Sequence, residues 1–473
     1  MTAAVIYVDD PELSVTASGA LRIDGIGAAD LAERFGTPLH VISETRLRRN
    51  YRRFRDAFAQ RWPAPVAVYF AQKSNPSLAL RSTLTQEGAG GDCLGANELR
   101  AALMAGADPA RLVLNGNDKT DEALALAVAC GARVNVDDLD EIDRLAAVAA
   151  EAGRTVEVGI RTKPDLEAFA ARGSEMMDLT VRDYAAVSKW GLDPAAAAHA
   201  VEAIRARPEL RLVGLHYHLG RHFSHPDLFA LVVPGMAALV GLLRDRTGWT
   251  PEALTVGGGF TQGRDPFFRK PGPGEPWPQA ADCFVAPIEA FADALCGELQ
   301  QALRARDLPL PVLGLEPGRF ITASAGLTLT RVGTIKQGPA RRWVMVDVSV
   351  AQLGMSRSPR DAHAIVVADG SARDEAVTCD VVGPLCVLDV VMEQAPLPAV
   401  GRGSLLAVLD TGGYADGEAS NANSIGRPAV VLVRDGAADL IRRRETFDDV
   451  FARDEIPARL LAAGEPPPWP IGP

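Results

Sequence analysis

The stretch Val68 to Leu80, VYFAQKSNPSLAL, runs an apolar segment into a single lysine, Lys73, and then breaks it with Ser74-Asn75-Pro76. A strand-end lysine either reaches solvent on an apolar stem or holds its amine in a pocket for covalent chemistry with a carbonyl. TVGGGF, Thr255 to Phe260, ends another apolar run in Gly257, Gly258 and Gly259. Such a turn can offer backbone N–H groups to a phosphate without side-chain obstruction, or simply join strand to helix tightly. LEPGRF, Leu315 to Phe320, sets Glu316 and Arg319 about a Pro-Gly turn. A carboxylate there pairs with the arginine at the surface or, if buried, demands a cationic or protonated partner. In GLHYHLGR, strand alternation sends His216 and His218 to one side and Tyr217 to the other. His222 and His225 follow without the Cys or Glu pattern of a zinc site, so the alternative use is a flat imidazole stacked on an aromatic cofactor. VVGPLCVLDVV carries Cys386 and Asp389 in an apolar β run, where a cysteine packs as a small hydrophobe unless it reacts. LDTGGYADGEASNANSIGRP follows a strand with Tyr414 and an Asn/Ser-rich loop that either turns or binds.

These residues need elements to hold them. From Pro65 to Arg319, short apolar runs alternate with Ala/Leu/Glu/Arg-rich stretches of helical length. The runs are VAVYFAQK, GGDCL, RLVLNG, RVNVDD, VEVGIRTKP, LRLVGLHYH, ALTVGGGF and LPVLGLEPGR. Repeated βα units imply parallel strands, and eight of them suit an α/β fold with a closed, TIM-like β/α barrel better than an open doubly wound sheet. In a barrel the chemistry sits at the carboxyl ends of the strands, which gathers Lys73, His218, the three glycines and Glu316 at one mouth. Beyond Phe320, closely spaced runs such as GLTLTRVGTIKQG, RRWVMVDVSV and SLLAVLDTGG predict an antiparallel β-domain, as an open sheet or small barrel. The chain thus divides into residues 1–45, strands that join the C-terminal β-domain; 46–320, the barrel; and 321–473, the β-domain. The Pro/Gly-rich stretch 261–284 reads as a long loop of the kind that covers a site or lacks order.

A chain of 473 residues exceeds one simple core, and its net charge of −11 without any Lys/Arg cluster argues against a nucleic-acid or anionic-membrane surface. The N-terminal MTAAVIYVDDPELSV lacks the basic and apolar segments of a signal peptide, and no apolar run is long enough to span a bilayer, so a cytoplasmic protein is expected. The six cysteines, at 93, 130, 283, 296, 379 and 386, form no CxxC pair, which argues against zinc and against structural disulfides.

In their order, the lysine after a first barrel strand, then GAGGDCLGANEL, HYHLG, GGGF, EPGR, GPLC with Asp389, and TGGYA, the motifs resemble those of fold-type III pyridoxal-phosphate enzymes. The nearest branch is that of the diaminopimelate and ornithine/arginine decarboxylases, and the resemblance covers nearly the whole chain. It implies a β/α barrel followed by a β-domain, pyridoxal 5'-phosphate as cofactor, and a head-to-tail homodimer with shared active sites. Residue by residue, it makes Lys73 the amine that condenses with the cofactor's aldehyde and His218 the ring stacked on the pyridine. Gly257, Gly258, Gly259, Gly318 and Arg319, with the Tyr414 hydroxyl, would hold the phosphate, and Glu316 would pair with the pyridine nitrogen. Asp92 and Glu98 match acidic positions near the cofactor, with Arg161 supporting them, and Cys386 falls on the catalytic cysteine that acts across the dimer. A carboxylate at the pyridine nitrogen keeps it protonated and makes the ring an electron sink, which favours decarboxylation over the related alanine racemases, where an arginine stands at that nitrogen. A racemase or epimerase, or a silent regulatory homologue, are the competing readings.

The pattern departs at the substrate's distal end. Val387 replaces the acidic residue that follows the cysteine in diaminopimelate decarboxylases; Met355 and Pro359 stand where they carry arginine and tyrosine, with Arg357 two places off. Ala422 replaces a tyrosine, and Arg221 a serine. A distal cation buried against Val387 without a counter-charge would cost several kcal/mol. The expected substrate is therefore a non-standard or carrier-bound amino acid rather than diaminopimelate, ornithine or lysine. Arg319, Arg357, Val387 and Asp389 are the residues expected to face it; Asp389 could supply a charge to a basic substrate, while Arg221 and Arg357 suggest instead an acidic or carboxylated group.

Overall fold

The computed structural model describes residues 11–163, 173–174, 179–180, 188–218, 220, 225–261, 285–354, 363–372, 376–386 and 389–460. Eight parallel strands close a barrel: β1 (Val66–Ala71), β2 (Gly90–Cys93), β3 (Leu112–Leu114), β4 (Arg133–Val136), β5 (Val156–Arg161), β6 (Leu210–His216), β7 (Ala253–Thr255) and β8 (Val312–Leu315), with β8 pairing back to β1. They coincide with the eight runs read from the sequence. Strands buried on both faces have no polar side to show, and β2, β3 and β7 are buried at every position. Small residues make room inside: a Cβ on Gly159 would collide with Asn135 Oδ1, and one on Gly214 would stand 2.8 Å from the Ala253 carbonyl oxygen.

Helices follow the strands around the outside, and the helix Glu44–Ala59 packs between Leu78–Gln86 and Ile288–Arg304 to complete the ring. Its N-terminus is capped by Ser43, whose Oγ accepts from Arg46 N at 3.0 Å, and its inward face carries Leu47, Tyr51, Phe54 and Phe58. Phe54 matters for the barrel mouth. Phe260, which follows the three glycines, meets it edge-on at a centroid distance of 5.1 Å, and Phe320, which follows Arg319, lies at 5.3 Å. Both glycine-bearing turns are thus pinned by a buried phenylalanine onto the same ring.

Beyond the barrel runs β9 (Gly326–Gln337), a 12-residue strand that pairs antiparallel with Leu39–Ser43, with β10 (Arg342–Val346) and, further on, with β14 (Leu405–Leu409). β11 (Ile365–Val367) adds to β14, and β12 (Ala376–Val382) and β13 (Val390–Pro398) extend the sheet beyond β10; β15 (Ala429–Arg434) and β16 (Ala437–Arg442) close its other side. The sheet is mainly antiparallel and open. Two pairings, β10 with β12 and Leu39–Ser43 with β15, are parallel, because the chain leaves the sheet and returns between them. Separate apolar clusters cover its two faces, one around Leu327, Leu329 and Val431, the other around Val332, Val346 and Val381. No helix among the described residues is long and apolar enough to cross a membrane.

Candidate active site at the carboxyl ends of the barrel strands

Lys73 sits in a single 3-10 turn, Gln72–Ser74, directly after β1. Its Nζ donates to Asp92 Oδ2 on β2 at 3.2 Å, while 40% of the side chain stays open to solvent at the mouth. Asp92, with Tyr414 and Glu316 adding to it, outweighs burial and pulls the amine above its ordinary value. From Asp92 the polar chain continues inward. Asn115, just past β3, donates from Nδ2 to Asp92 Oδ1 at 2.7 Å and to Glu316 Oε1 at 2.8 Å, and its Oδ1 accepts from Asn135 Nδ2 at 2.6 Å. Glu316 Oε2 lies 2.9 Å from His216 Nε2. Burial would raise the Glu316 carboxyl, but His216, Lys73 and the Asn115 hydrogen bond outweigh it and hold it below the usual carboxylate range.

His218 lies two residues beyond β6. Burial, together with Lys73, Arg161 and His216, drives its pKa well below that of a free imidazole, so the ring is neutral at neutral pH. Gly257 packs against it with φ of +76°, and a Cβ there would stand 2.7 Å from the Tyr217 carbonyl oxygen and 2.8 Å from His218 Nδ1. A Cβ on Gly258 would collide with the backbone oxygen of Glu316. At Gly318 it would lie 3.0 Å from Ser74 Cβ and 3.1 Å from Tyr414 Oη. Tyr414, at φ of +61°, donates its backbone N–H to the Ser74 carbonyl at 2.7 Å, and the Arg319 guanidinium carbon sits 4.7 Å from its ring centroid. The Ser74 hydroxyl is buried with no partner among the described residues. Glycines that leave backbone bare, an unsatisfied buried hydroxyl, a phenol and an arginine make a donor set that fits a phosphate. A neutral flat ring, an amine and a buried carboxylate fit the remainder of pyridoxal phosphate.

Other sequence-derived residues take different places. Glu98 Oε2 accepts from Leu94 N at 2.7 Å and closes the turn into its own helix; burial raises its carboxyl. Arg161, expected to support Asp92 and Glu98, instead donates to the Asn115 carbonyl at 3.1 Å and lies 3.6 Å from Asp137, so its link to Asp92 runs through Asn115. Asp389 is buried, with Oδ1 accepting from Ser349 Oγ and Val350 N and Oδ2 from Leu385 N. Expected as a substrate counter-charge, it ties two loops together. Cys386 is exposed, and its Sγ accepts from Asn423 Nδ2 at 3.2 Å. Arg221, Met355, Arg357, Pro359 and Val387 lie outside the described residues. Sequence reasoning missed Asn115, Asn135, Asn423 and the part His216 plays at Glu316. An asparagine inside an apolar strand such as RVNV was the available signal, since a buried amide needs partners.

The family model described as "Pyridoxal-dependent decarboxylase, pyridoxal binding domain" matches residues 44–323. The chain is 34% identical over 458 residues to the diaminopimelate decarboxylase of Methanothermobacter thermautotrophicus, covering 95% of this chain and 99% of that one. It is 36% identical to that of Actinosynnema pretiosum subsp. auranticum, over 92% of this chain and 93% of the other. The crystal structure of diaminopimelate decarboxylase from M. jannaschii superposes with a TM-score of 0.85 at 29% identity, covering 96% of this chain and all of that one. A second structure of that protein, in complex with L-lysine, gives 0.83. These relatives overturn the expectation of a non-standard substrate: departures at a few positions weigh less than likeness over nine-tenths of the chain to proteins named for diaminopimelate. The chain belongs to the pyridoxal-dependent decarboxylase family and is a pyridoxal-phosphate-dependent amino-acid decarboxylase.

Proposed function

We propose that this enzyme decarboxylates diaminopimelate at one of its two amino-acid ends, releasing CO2 and leaving lysine. The observation that carries this reading is identity between 31% and 36%, over more than nine-tenths of the chain, to proteins named for that reaction. The substrate's own chemistry answers the departures at its distal end. That end carries an ammonium and a carboxylate on one carbon, so setting it against Val387 buries no lone cation, as lysine or ornithine would. Its carboxylate is suited to an arginine, with Arg319 and Arg357 as the candidates.

Bound pyridoxal phosphate supplies an electrophilic aldehyde and a ring that draws electrons from the substrate's α-carbon. Lys73, steered by Asp92, would hold the cofactor through its amine and give place there to the substrate's amine. Glu316, held ionised, would be the residue to pair with the ring nitrogen and favour its charged form. His218 would stack as a neutral ring, and Gly257, Gly258, Gly259, Gly318, Arg319, Ser74 and the Tyr414 hydroxyl would hold the phosphate. The Cys386 thiol returns a proton to the α-carbon. The enzyme works as a homodimer in which Cys386 serves the neighbouring subunit's site; its exposed position on the β-domain supports this. The test is CO2 release from labelled diaminopimelate, ornithine, lysine and arginine by the purified holoenzyme. Diaminopimelate is expected to be turned over fastest, and preference for another member of the panel would reject the substrate. Lys73→Ala should abolish the cofactor mass fixed to the chain by borohydride.

A further inference from the structure

Asn115 is 98% buried, and every polar group it owns is engaged. Its backbone N–H donates to the Cys93 carbonyl at 2.7 Å, and its carbonyl accepts from Arg161 Nη1 at 3.1 Å. The side-chain nitrogen has two hydrogens, and each goes to a different buried carboxylate, Asp92 at 2.7 Å and Glu316 at 2.8 Å. Turning the amide over would aim its oxygen at both carboxylates, so the surroundings dictate its orientation. Asn135, on the neighbouring β4, reinforces that choice by donating to Oδ1 at 2.6 Å, and bare Gly159 on β5 leaves room for the other end of its amide.

We propose that Asn115 is a positioning residue that couples the two ends of the cofactor site, its one amide nitrogen holding the counter-ion of Lys73 and the partner of the ring nitrogen in fixed relation. Two carboxylates this close would otherwise repel, and one would take up a proton or turn away. One amide nitrogen that gives a hydrogen to each keeps both aimed. Glu316 has His216 on its other oxygen, so the four groups form a single braced line from Lys73 through Asp92 and Asn115 to Glu316. The inference rests on the reading of Lys73 and Glu316 as cofactor partners.

The test compares wild-type holoenzyme with Asn115→Leu, which matches the shape but donates nothing, and Asn115→Asp, which adds a third carboxylate. The substrate is whichever amino acid the CO2-release panel selects. With Asn115→Leu, kcat should fall about ten- to a hundredfold, the loss of hydrogen bonds to charged groups, while KM stays within about twofold. The bound cofactor's visible spectrum should change, its long-wavelength band losing intensity to the short-wavelength one as Glu316 loses charge. Asn115→Asp should do the same more strongly. Asn135→Ala leaves both carboxylates bonded and removes only the orienting group, so a smaller change in the same direction is expected even if the Asn115 variants fold poorly. An unchanged spectrum with an unchanged kcat, or a loss of kcat that follows melting temperature alone with the spectrum intact, overturns the assignment. Wild-type protein that takes up no cofactor overturns the underlying reading of the site.

Discussion

Replacing Gly257 by alanine tests whether the bare backbone at the mouth is a requirement or an accident. Two independent costs follow from the geometry. At φ of +76° the residue occupies the left-handed region, where a Cβ costs about 1–2 kcal/mol. The added methyl would also stand 2.7 Å from the carbonyl oxygen of fully buried Tyr217 and 2.8 Å from His218 Nδ1, and overpacking of that kind costs about 1–3 kcal/mol. Relief by backbone movement is restricted, because Phe260 is locked against Phe54, Phe58 and Phe229 and Glu316 N donates to the Gly257 carbonyl at 2.9 Å. The summed loss is about 2–5 kcal/mol, and movement that does occur displaces the turn or the His218 ring. Gly297→Ala is the control. It lies exposed in the middle of the helix Ile288–Arg304 with nothing within 4 Å of the new methyl, and should stabilise by about 0.5–1 kcal/mol. Thermal melts of both apo variants and cofactor titration by absorbance read the two effects. Gly257→Ala should melt lower and bind the cofactor at least about tenfold more weakly, a loss near 1.4 kcal/mol, with Gly297→Ala melting slightly higher and binding unchanged. Wild-type stability and affinity in Gly257→Ala would refute the crowding argument.

Thiol chemistry should separate the cysteines: Cys386 is exposed and should react with a disulfide reagent in the native protein, while burial pushes Cys296 up to about 12 and Cys379 up to about 11, so both should label only on unfolding. Glu87 is held below the ordinary carboxylate range by its hydrogen bond from Arg52 and then that from Arg48, against burial. A depressed carboxyl adds stability above the unfolded value of about 4.3 and loses it as pH falls through the lower folded value. The melting-temperature gap between wild type and Glu87→Gln should therefore be largest at neutral pH and shrink below about pH 4.3; a gap that widens with acid would contradict the sign. Lys119 and Glu141 form a buried pair at 2.6 Å, in which burial outweighs Glu141 and lowers the lysine's pKa. Lys119→Met should cost about 3–5 kcal/mol by stranding Glu141, and adding Glu141→Leu should recover most of it; an equal or greater loss in the double variant would show that the pair is not the source.

The barrel was legible because its strands obey one simple rule: buried on both faces, each is a short apolar run. The β-domain was read less completely. β13 breaks its apolar pattern with Glu393 and Gln394, the latter at φ of +49° where the pairing with β12 shifts register, and β16 has a single buried residue among its six. Neither has the periodicity that marks a half-buried strand. Within the site, the residues named from the sequence all belong to recognisable motifs, whereas Asn115 and Asn135 were not named, because each is defined by partners brought from other strands. His216 was noticed only as the strand neighbour of His218, because its partner, Glu316, lies 100 residues further along the chain.

The error about the substrate has a physical lesson. The absence of an acidic residue at Val387 was weighed as though the distal group were an ammonium alone, and Asp389 was recruited as the available negative charge. Asp389 is in fact committed to Ser349, Val350 and Leu385, so both its oxygens are taken up in joining loops. A bare distal ammonium set against Val387 would need its counter-charge from another residue, by the same desolvation argument. Diaminopimelate escapes it by carrying its own counter-charge. Arg221 and Arg357, read from sequence as signs of a carboxylated substrate, agree with the carboxylate that distinguishes diaminopimelate from both.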